Sequence, residues 1–203
     1  SESRVTVIVG TGKQDKGADD VLGTDCALDS PGGLSLIEDA NGEVTAVLIA
    51  DTNNHRIRRW DRKSQKILTI AGTGARGSSG DGGPAKSAML NSPYHVYYDK
   101  LTGDVFIADY DNKKVRRVRG DTITTVAGEC KAKDGLGDGG LAIDACIKEP
   151  SQLVMNDAGE LFINEMSSGS GRIRKVGVDG TINTAAGGGD KTGDVLPNKV
   201  KLN

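Results

Sequence analysis

Apolar positions along this chain fall in short, β-branched runs bounded by Gly, Asn and Asp, and they do not recur at helical spacing. The sole short helical candidate covers Ala85 to Leu90. Between residues 93 and 128 the pattern predicts four strands: Tyr94 to Asp99, Val105 to Asp109, Lys114 to Val118 and Thr122 to Ala127. Polar turns at Leu101-Thr102-Gly103-Asp104, Tyr110 to Asn112 and Arg119-Gly120-Asp121 separate them, at lengths that suit antiparallel hairpins. The fold class read from this pattern is all-β.

The unit recurs. Ile49-Ala50-Asp51-Thr52-Asn53-Asn54-His55-Arg56-Ile57-Arg58-Arg59-Trp60 returns as Ile107-Ala108-Asp109-Tyr110-Asp111-Asn112-Lys113-Lys114-Val115-Arg116-Arg117-Val118, 58 residues on from Asp51 to Asp109. A drifted third copy runs from Ile163-Asn164-Glu165 to Arg172-Ile173-Arg174-Lys175-Val176, its acid 56 residues beyond Asp109. Apolar pairs followed by glycine at Ile8-Val9-Gly10, Ile70-Ala71-Gly72, Val126-Ala127-Gly128 and Ala185-Ala186-Gly187 keep nearly the same period. Turn-rich stretches follow, Gly80-Asp81-Gly82-Gly83-Pro84-Ala85 and Gly137-Asp138-Gly139-Gly140-Leu141-Ala142, and the next copy opens at Pro31, Pro93 or Pro150. Four antiparallel strands repeating at this period describe a propeller blade.

The "IADTNNHRIRRW" run, the "GDGGPA" loop and the "LNSP" blade entry resemble the NHL-repeat β-propeller family over nearly the whole chain. The family's Pro-x-Gly-aliphatic blade start is present as Pro31-Gly32-Gly33-Leu34, whereas the second and third copies place His95 and Gln152 at the glycine position. The expected architecture is a partial propeller of three blades, about 31–74, 93–128 and 150–187, within a single segment 1–203. An extra N-terminal strand over 4–10 and a tail, 188–203, are assigned to incomplete flanking blades. The resemblance implies rings of about six blades. Three therefore suggest either a portion of a longer propeller or a half-ring that completes itself as a homodimer.

Composition sharpens this picture in a few places. Glycine is 29 of 203 residues while Phe, Tyr and Trp total only seven, as turn-rich aliphatic sheets require. Lys and Arg number 26 against 28 Asp and Glu, so no bulk positive field draws nucleic acid. No run approaches the roughly 18 apolar residues of a spanning helix, and no membrane insertion is expected. Three cysteines match neither a disulfide framework nor a zinc spacing. Cys130 and Cys146 flank the third long loop; they either pair across a 17-residue ring, worth about 3 kcal/mol on the chain-entropy scale, or stay buried free thiols.

Chemistry-bearing residues are each open to a structural reading. Asp51 and Asp109 end a strand beside Arg58 and Arg116 on the next, which favours an intrablade ion pair over acid–base catalysis. Asp81 and Asp138 supply one carboxylate per glycine loop, far short of the six to eight oxygens calcium takes, so a conformational role is expected. The third strands carry Arg56, Arg58, Arg59, Lys113, Lys114, Arg116, Arg117, Arg119, Arg172, Arg174 and Lys175, a conceivable phosphate-binding band. Period-two alternation sends adjacent members to opposite faces, which weakens that reading.

The resemblance implies a recognition platform, most often for another protein. Loops near Lys13 to Ser30, Ala75 to Ser92 and Lys131 to Glu149 are long enough to carry binding. The expected function is a noncatalytic module whose partner contacts come from Asn53, Asn54, His55, Arg76, His95, Tyr110 and Asp111, with no catalytic residue, metal or cofactor. Two alternatives stand: an RNA-binding propeller using a basic face, and part of a lyase- or lactonase-like propeller with a channel metal. For the latter the inner strands offer only Ser35, His95, Tyr97, Gln152 and Asn156.

Overall fold

A computed structural model describes residues 5–132, 135–166 and 171–188. The first sheet has the order β1-β5-β4-β3-β2, formed by β1 (Val21–Leu22), β2 (Pro31–Glu38), β3 (Val44–Asp51), β4 (Arg56–Asp61) and β5 (Lys66–Ala71). The second is β6 (Pro93–Tyr98), β7 (Val105–Asp109), β8 (Lys114–Arg119) and β9 (Thr122–Ala127); the third is β10 (Pro150–Met155), β11 (Leu161–Glu165), β12 (Arg172–Val176) and β13 (Ile182–Gly187). The pairings between these strands are antiparallel, and the register repeats: Ile49 faces Arg58, Ile107 faces Arg116 and Ile163 faces Arg174.

The sheets stack face to face as blades. Leu48, Ala50, Ile57 and Ala71 of the first pack on Val96, Val105, Ile107, Val118 and Ile123 of the second. The second sheet's other face, with Phe106, Ala108, Val115 and Ala127, packs on Leu153, Leu161, Ile163 and Ile182 of the third. Because each strand alternates its side chains across the pleat, the middle blade has an apolar set for each neighbour. The far face of the first blade, with Val47, Ile49, Trp60 and Ile67, is covered by Cys26, Val9, Val21 and Leu28 of the N-terminal stretch.

The long inter-blade stretches serve the fold. Gly82 and Ala85 donate to the carbonyls of Ile123 and Asp121, and Ile123 donates back to Gly83. Gly139 and Ala142 repeat this on Ile182 and Gly180, and β1 does the same to β5. Each linker thereby covers the outer edge of the blade it enters, an edge that would otherwise present unpaired backbone groups. Gly80 lies at φ +101°, and a Cβ there would sit 2.7 Å from the Ala88 Cβ, so glycine alone fits where the linker folds back.

Two expectations change in detail. The extra N-terminal strand is Val21–Leu22 rather than 4–10: residues 5–10 run as irregular backbone with Val5 fully exposed, and the Gly10 amide donates to the Gly23 carbonyl just beyond β1 without forming a strand ladder. Ala85 to Leu90 makes only a 3-10 turn, Ala85–Ser87, because the amides of Gly72 and Thr73 take up the Ala85 and Ala88 carbonyls. The tail lies outside the described residues from 189 onward. Cys130 and Cys146 form a disulfide across the third linker, while Cys26 is a buried free thiol.

Arg116 is wholly buried between Asp109 and Asp81. Replacing it with Ala leaves a buried carboxylate without its cation and is expected to cost about 3–5 kcal/mol in urea unfolding. Arg59→Ala, at a pair with both side chains partly exposed, is expected to cost about 0–1 kcal/mol.

Candidate functional site

Each blade is held by one buried arginine between two acids. Arg58 reaches Asp51 at 3.6 Å and Asp19 at 2.9 Å. Arg116 reaches Asp109 at 3.4 Å and Asp81 at 2.6 Å, and Arg174 reaches Glu165 at 3.3 Å and Asp138 at 2.7 Å. The strand-ending acid has a second task. Asp51, Asp109 and Glu165 accept the backbone N–H of Asp29, Asn91 and Lys148, each two residues before the proline that opens a blade. Asn54 and Asn112 donate back to the same acids from the following turn. These side chains tie linker, second strand and third strand together.

Asp19 escapes the sequence reading. Asp81 and Asp138 directly follow Gly80 and Gly137 in Gly-Asp-Gly-Gly loops, whereas Asp19 stands two residues after Gly17 and lacks flanking glycines. Only its 2.9 Å contact with Arg58 in the structure identifies it.

Burial dominates the charges of these acids. It pushes Asp109 up to about 6 against the opposing pull of Asn112, the Asn91 amide and Arg116. Asp51 and Glu165 are raised for the same reason. Asp81 goes the other way: burial works against its ionisation, but hydrogen bonds from Thr125 and the Arg116 charge hold it below the usual range.

The third-strand cations are largely spent within the fold. Besides the three buried arginines, Lys114 pairs with Glu129 at 2.7 Å, Arg119 with Asp104 at 2.7 Å and Lys175 with Glu160 at 2.8 Å. Arg56 donates to the carbonyls of Lys16 and Thr73. A continuous basic band is therefore not what these residues form.

Most of the residues expected to meet a partner gather where the first two blades join. The turn after β3 ends in His55 at φ +52°, and the matching turn after β7 ends in Lys113 at φ +57°. His55 Nδ1 accepts the Ser92 backbone N–H at 3.0 Å, and the Ser92 hydroxyl donates to Asp111 at 2.7 Å. Burial, then the Arg76 charge, lowers the pKa of His55, with Asp111 opposing. Tyr110 packs against Tyr94 with ring centroids 5.5 Å apart, and Asn53 bonds Asp29 and Ser30. Arg76 and Asp111 are exposed.

Two expected contacts separate from this group. Asn54 is buried, spent on Asp51 and the Asp15 carbonyl, so it is a structural residue and not a surface contact: the turn that presents Asn53 points its neighbour inward. His95 lies on the innermost strand β6, where its ring fills the space a Cβ on Gly33 would need. With Gln152, Val154, Phe162, Asn164 and Ile173 it lines a cavity of about 390 Å³, and burial lowers its pKa.

Ser92, His55 and Asp111 share the residue types of a hydrolase triad but not its geometry. The hydroxyl donates to the carboxylate, and the imidazole takes a main-chain amide, so the imidazole does not face the hydroxyl as the base of a triad must. Among the described residues, no three His, Cys, Asp or Glu side chains converge as a metal ligand set, and no helix is long and apolar enough to cross a membrane.

Four-stranded antiparallel sheets stacked as blades, each gripped by the linker that enters it, define a β-propeller segment. The chain is 20% identical to a structural genomics protein of unknown function from Bacteroides thetaiotaomicron, with TM-score 0.62 over 85% of this chain and 40% of that one. An auxiliary nutrient binding protein from Bacteroides ovatus superposes with TM-score 0.60 at 15% identity, over 93% and 48% of the two chains. A putative gluconolactonase superposes with TM-score 0.52 at 13% identity, over 91% and 52%. Likeness at these identities concerns the fold alone.

No family model matches the chain. In sequence it is 34% identical over 85 residues to the chloroplastic Protein SUPPRESSOR OF QUENCHING 1 of Arabidopsis thaliana, covering 41% of this chain and 8% of that protein. It is 28% identical over 95 residues to NHL repeat-containing protein 2 of Homo sapiens, covering 46% and 12%. The chain thus spans a small part of the curated relatives it matches, and the NHL-repeat likeness rests on about half of its own length.

A carboxylate whose folded pKa is raised adds stability that is complete below its unfolded value near 3.8 and is lost as pH rises through about 6. The stability of the parent chain minus that of Asp109→Asn should therefore fall between pH 4 and pH 7. Urea midpoints across that range measure it, and a difference that stays flat or rises contradicts the assignment.

Proposed function

We propose that this chain is a noncatalytic recognition module, a propeller segment that binds a protein partner at the junction of its first two blades. The carrying observation is convergence: Asn53 and His55 from one turn, Arg76 from the linker, Tyr94 from β6, and Tyr110 and Asp111 from the next turn belong to distant chain segments yet share one end of the sheets. Tyrosine and arginine held on a rigid scaffold are the side chains on which protein interfaces most often depend. The long loops contribute less than their length suggests, since their middles are hydrogen-bonded along blade edges. RNA binding is the weaker reading because the third-strand cations are paired.

A second, quaternary reading is favoured by the flanks. Val154, Phe162 and Ile173 share, as the pairing register requires, the face of the third blade that no other sheet among the described residues covers, and Val154 is 56% exposed. At the opposite end Leu34 and Leu36 are 57% and 50% exposed. Two copies joined through these flanks as a six-bladed ring would bury both, where a lone segment leaves apolar area in water.

Two measurements test these readings. A Tyr110→Ala/Arg76→Glu variant should keep the parent melting temperature but lose the proteins that the immobilised parent retains from a native extract; equal capture by both, or hydrolysis of a sugar lactone by the parent, defeats the first. Light scattering should give about 42 kDa, twice the 21.2 kDa chain, and a stable 21.2 kDa species at high concentration defeats the second.

A further inference from the structure

The His55–Ser92–Asp111 bridge contains a chemical constraint that the equivalent place between the second and third blades lacks. To accept the Ser92 N–H, His55 Nδ1 must be bare, so the neutral ring carries its proton on Nε2. Ser92 belongs to the entry of the second blade, and its hydroxyl donates to Asp111 Oδ2 at 2.7 Å while the Asp111 amide donates to the Asn91 carbonyl at 3.1 Å. One imidazole acceptor from the first blade therefore holds the segment that leads into β6. At the next junction the matching position is Lys113, which has no acceptor to lose.

We propose that His55 is a proton-operated latch between the first two blades: when the ring takes a proton, Nδ1 becomes a donor, releases the Ser92 amide and turns to the Asp111 carboxylate. The step is a plain proton transfer from solvent to Nδ1, with no other bond made or broken covalently. Arg76 and Asp111 are the charged groups that act on the ring. Asp111 would receive the imidazolium, and Arg76 opposes its charge. Arg56 on the ring's own strand is turned away to the Lys16 and Thr73 carbonyls. Burial and Arg76 hold the ring neutral in the closed state, so the latch opens only below the ordinary histidine range. Because His55, Arg76 and Asp111 also belong to the proposed partner face, acid would remodel that face at its centre.

The test uses the intact chain and residue-resolved NMR, because Asp109 titrates in an overlapping range. The Ser92 amide signal should follow the His55 ring signals with a shared midpoint below pH 6.5, and its protection from hydrogen exchange, relative to the intrinsic rate, should fall in the same step. In His55→Gln, whose side-chain oxygen accepts without titrating, the Ser92 amide should stay fixed over that range. In Asp111→Asn the His55 midpoint should move lower still. A Ser92 amide that ignores the ring titration, or a His55 midpoint at or above 6.5, overturns the latch. Neither result bears on the capture experiment, which can fail while Ser92 still follows the ring.

Discussion

A guanidinium enclosed by two carboxylates is the interaction on which the rest of this propeller segment depends. Taking an arginine fully out of water is costly unless its charge and its N–H groups are met inside. Each blade meets the charge with one acid from its own second strand and one from the preceding linker, though Arg58 Nε and Nη1 and Arg174 Nε are buried without a hydrogen-bond partner among the described residues. The charge demand thereby becomes a positional one: the linker must bring Asp19, Asp81 or Asp138 to a fixed point over the blade. The strand-ending acid passes the constraint on by accepting the amide just ahead of the blade-opening proline.

From that anchor the remaining features follow. A linker pinned at its acid lies along the outermost strand and satisfies the backbone groups of that edge. The blade entry, pinned by the acid of the second strand, comes to rest against the turn of the preceding blade. That contact is where Thr52 donates to the Pro93 carbonyl and His55 receives the Ser92 amide. A cluster of chemically varied, exposed and half-exposed side chains thus sits beside a hydrogen-bonded blade entry. Rigid support for exposed polar and aromatic groups is what recognition asks of a scaffold.

Blade identity varies within this common frame. Cys26 occupies the space held by Ala88 and Ala145 in the later blades, close to Arg58, and the third linker alone carries the disulfide. His95 takes the place of Gly33 in the preceding blade, and the two are complementary, since the imidazole lies where a side chain on Gly33 would. The repeat is therefore regular in its backbone and buried charges and individual at its surfaces.

The strands of the middle blade were legible from local pattern because alternation and turn chemistry are nearest-neighbour properties. Tyr94 to Asp99 and Val105 to Asp109 shift by a residue at most from β6 and β7. The pairing of Asp51 with Arg58 and of Asp109 with Arg116 was also legible, since hairpin register places each arginine diagonally across from the acid, on the same face of the sheet. What the sequence could not determine was every relation spanning a linker. Asp81 and Asp138 read as turn residues, Asp19 read as nothing, and Asn53 and Asn54 looked alike until one faced water and the other the core. Such relations depend on how one blade is rotated onto the next. That rotation is a sum of many packing contacts between distant segments, and only the tertiary structure decides it.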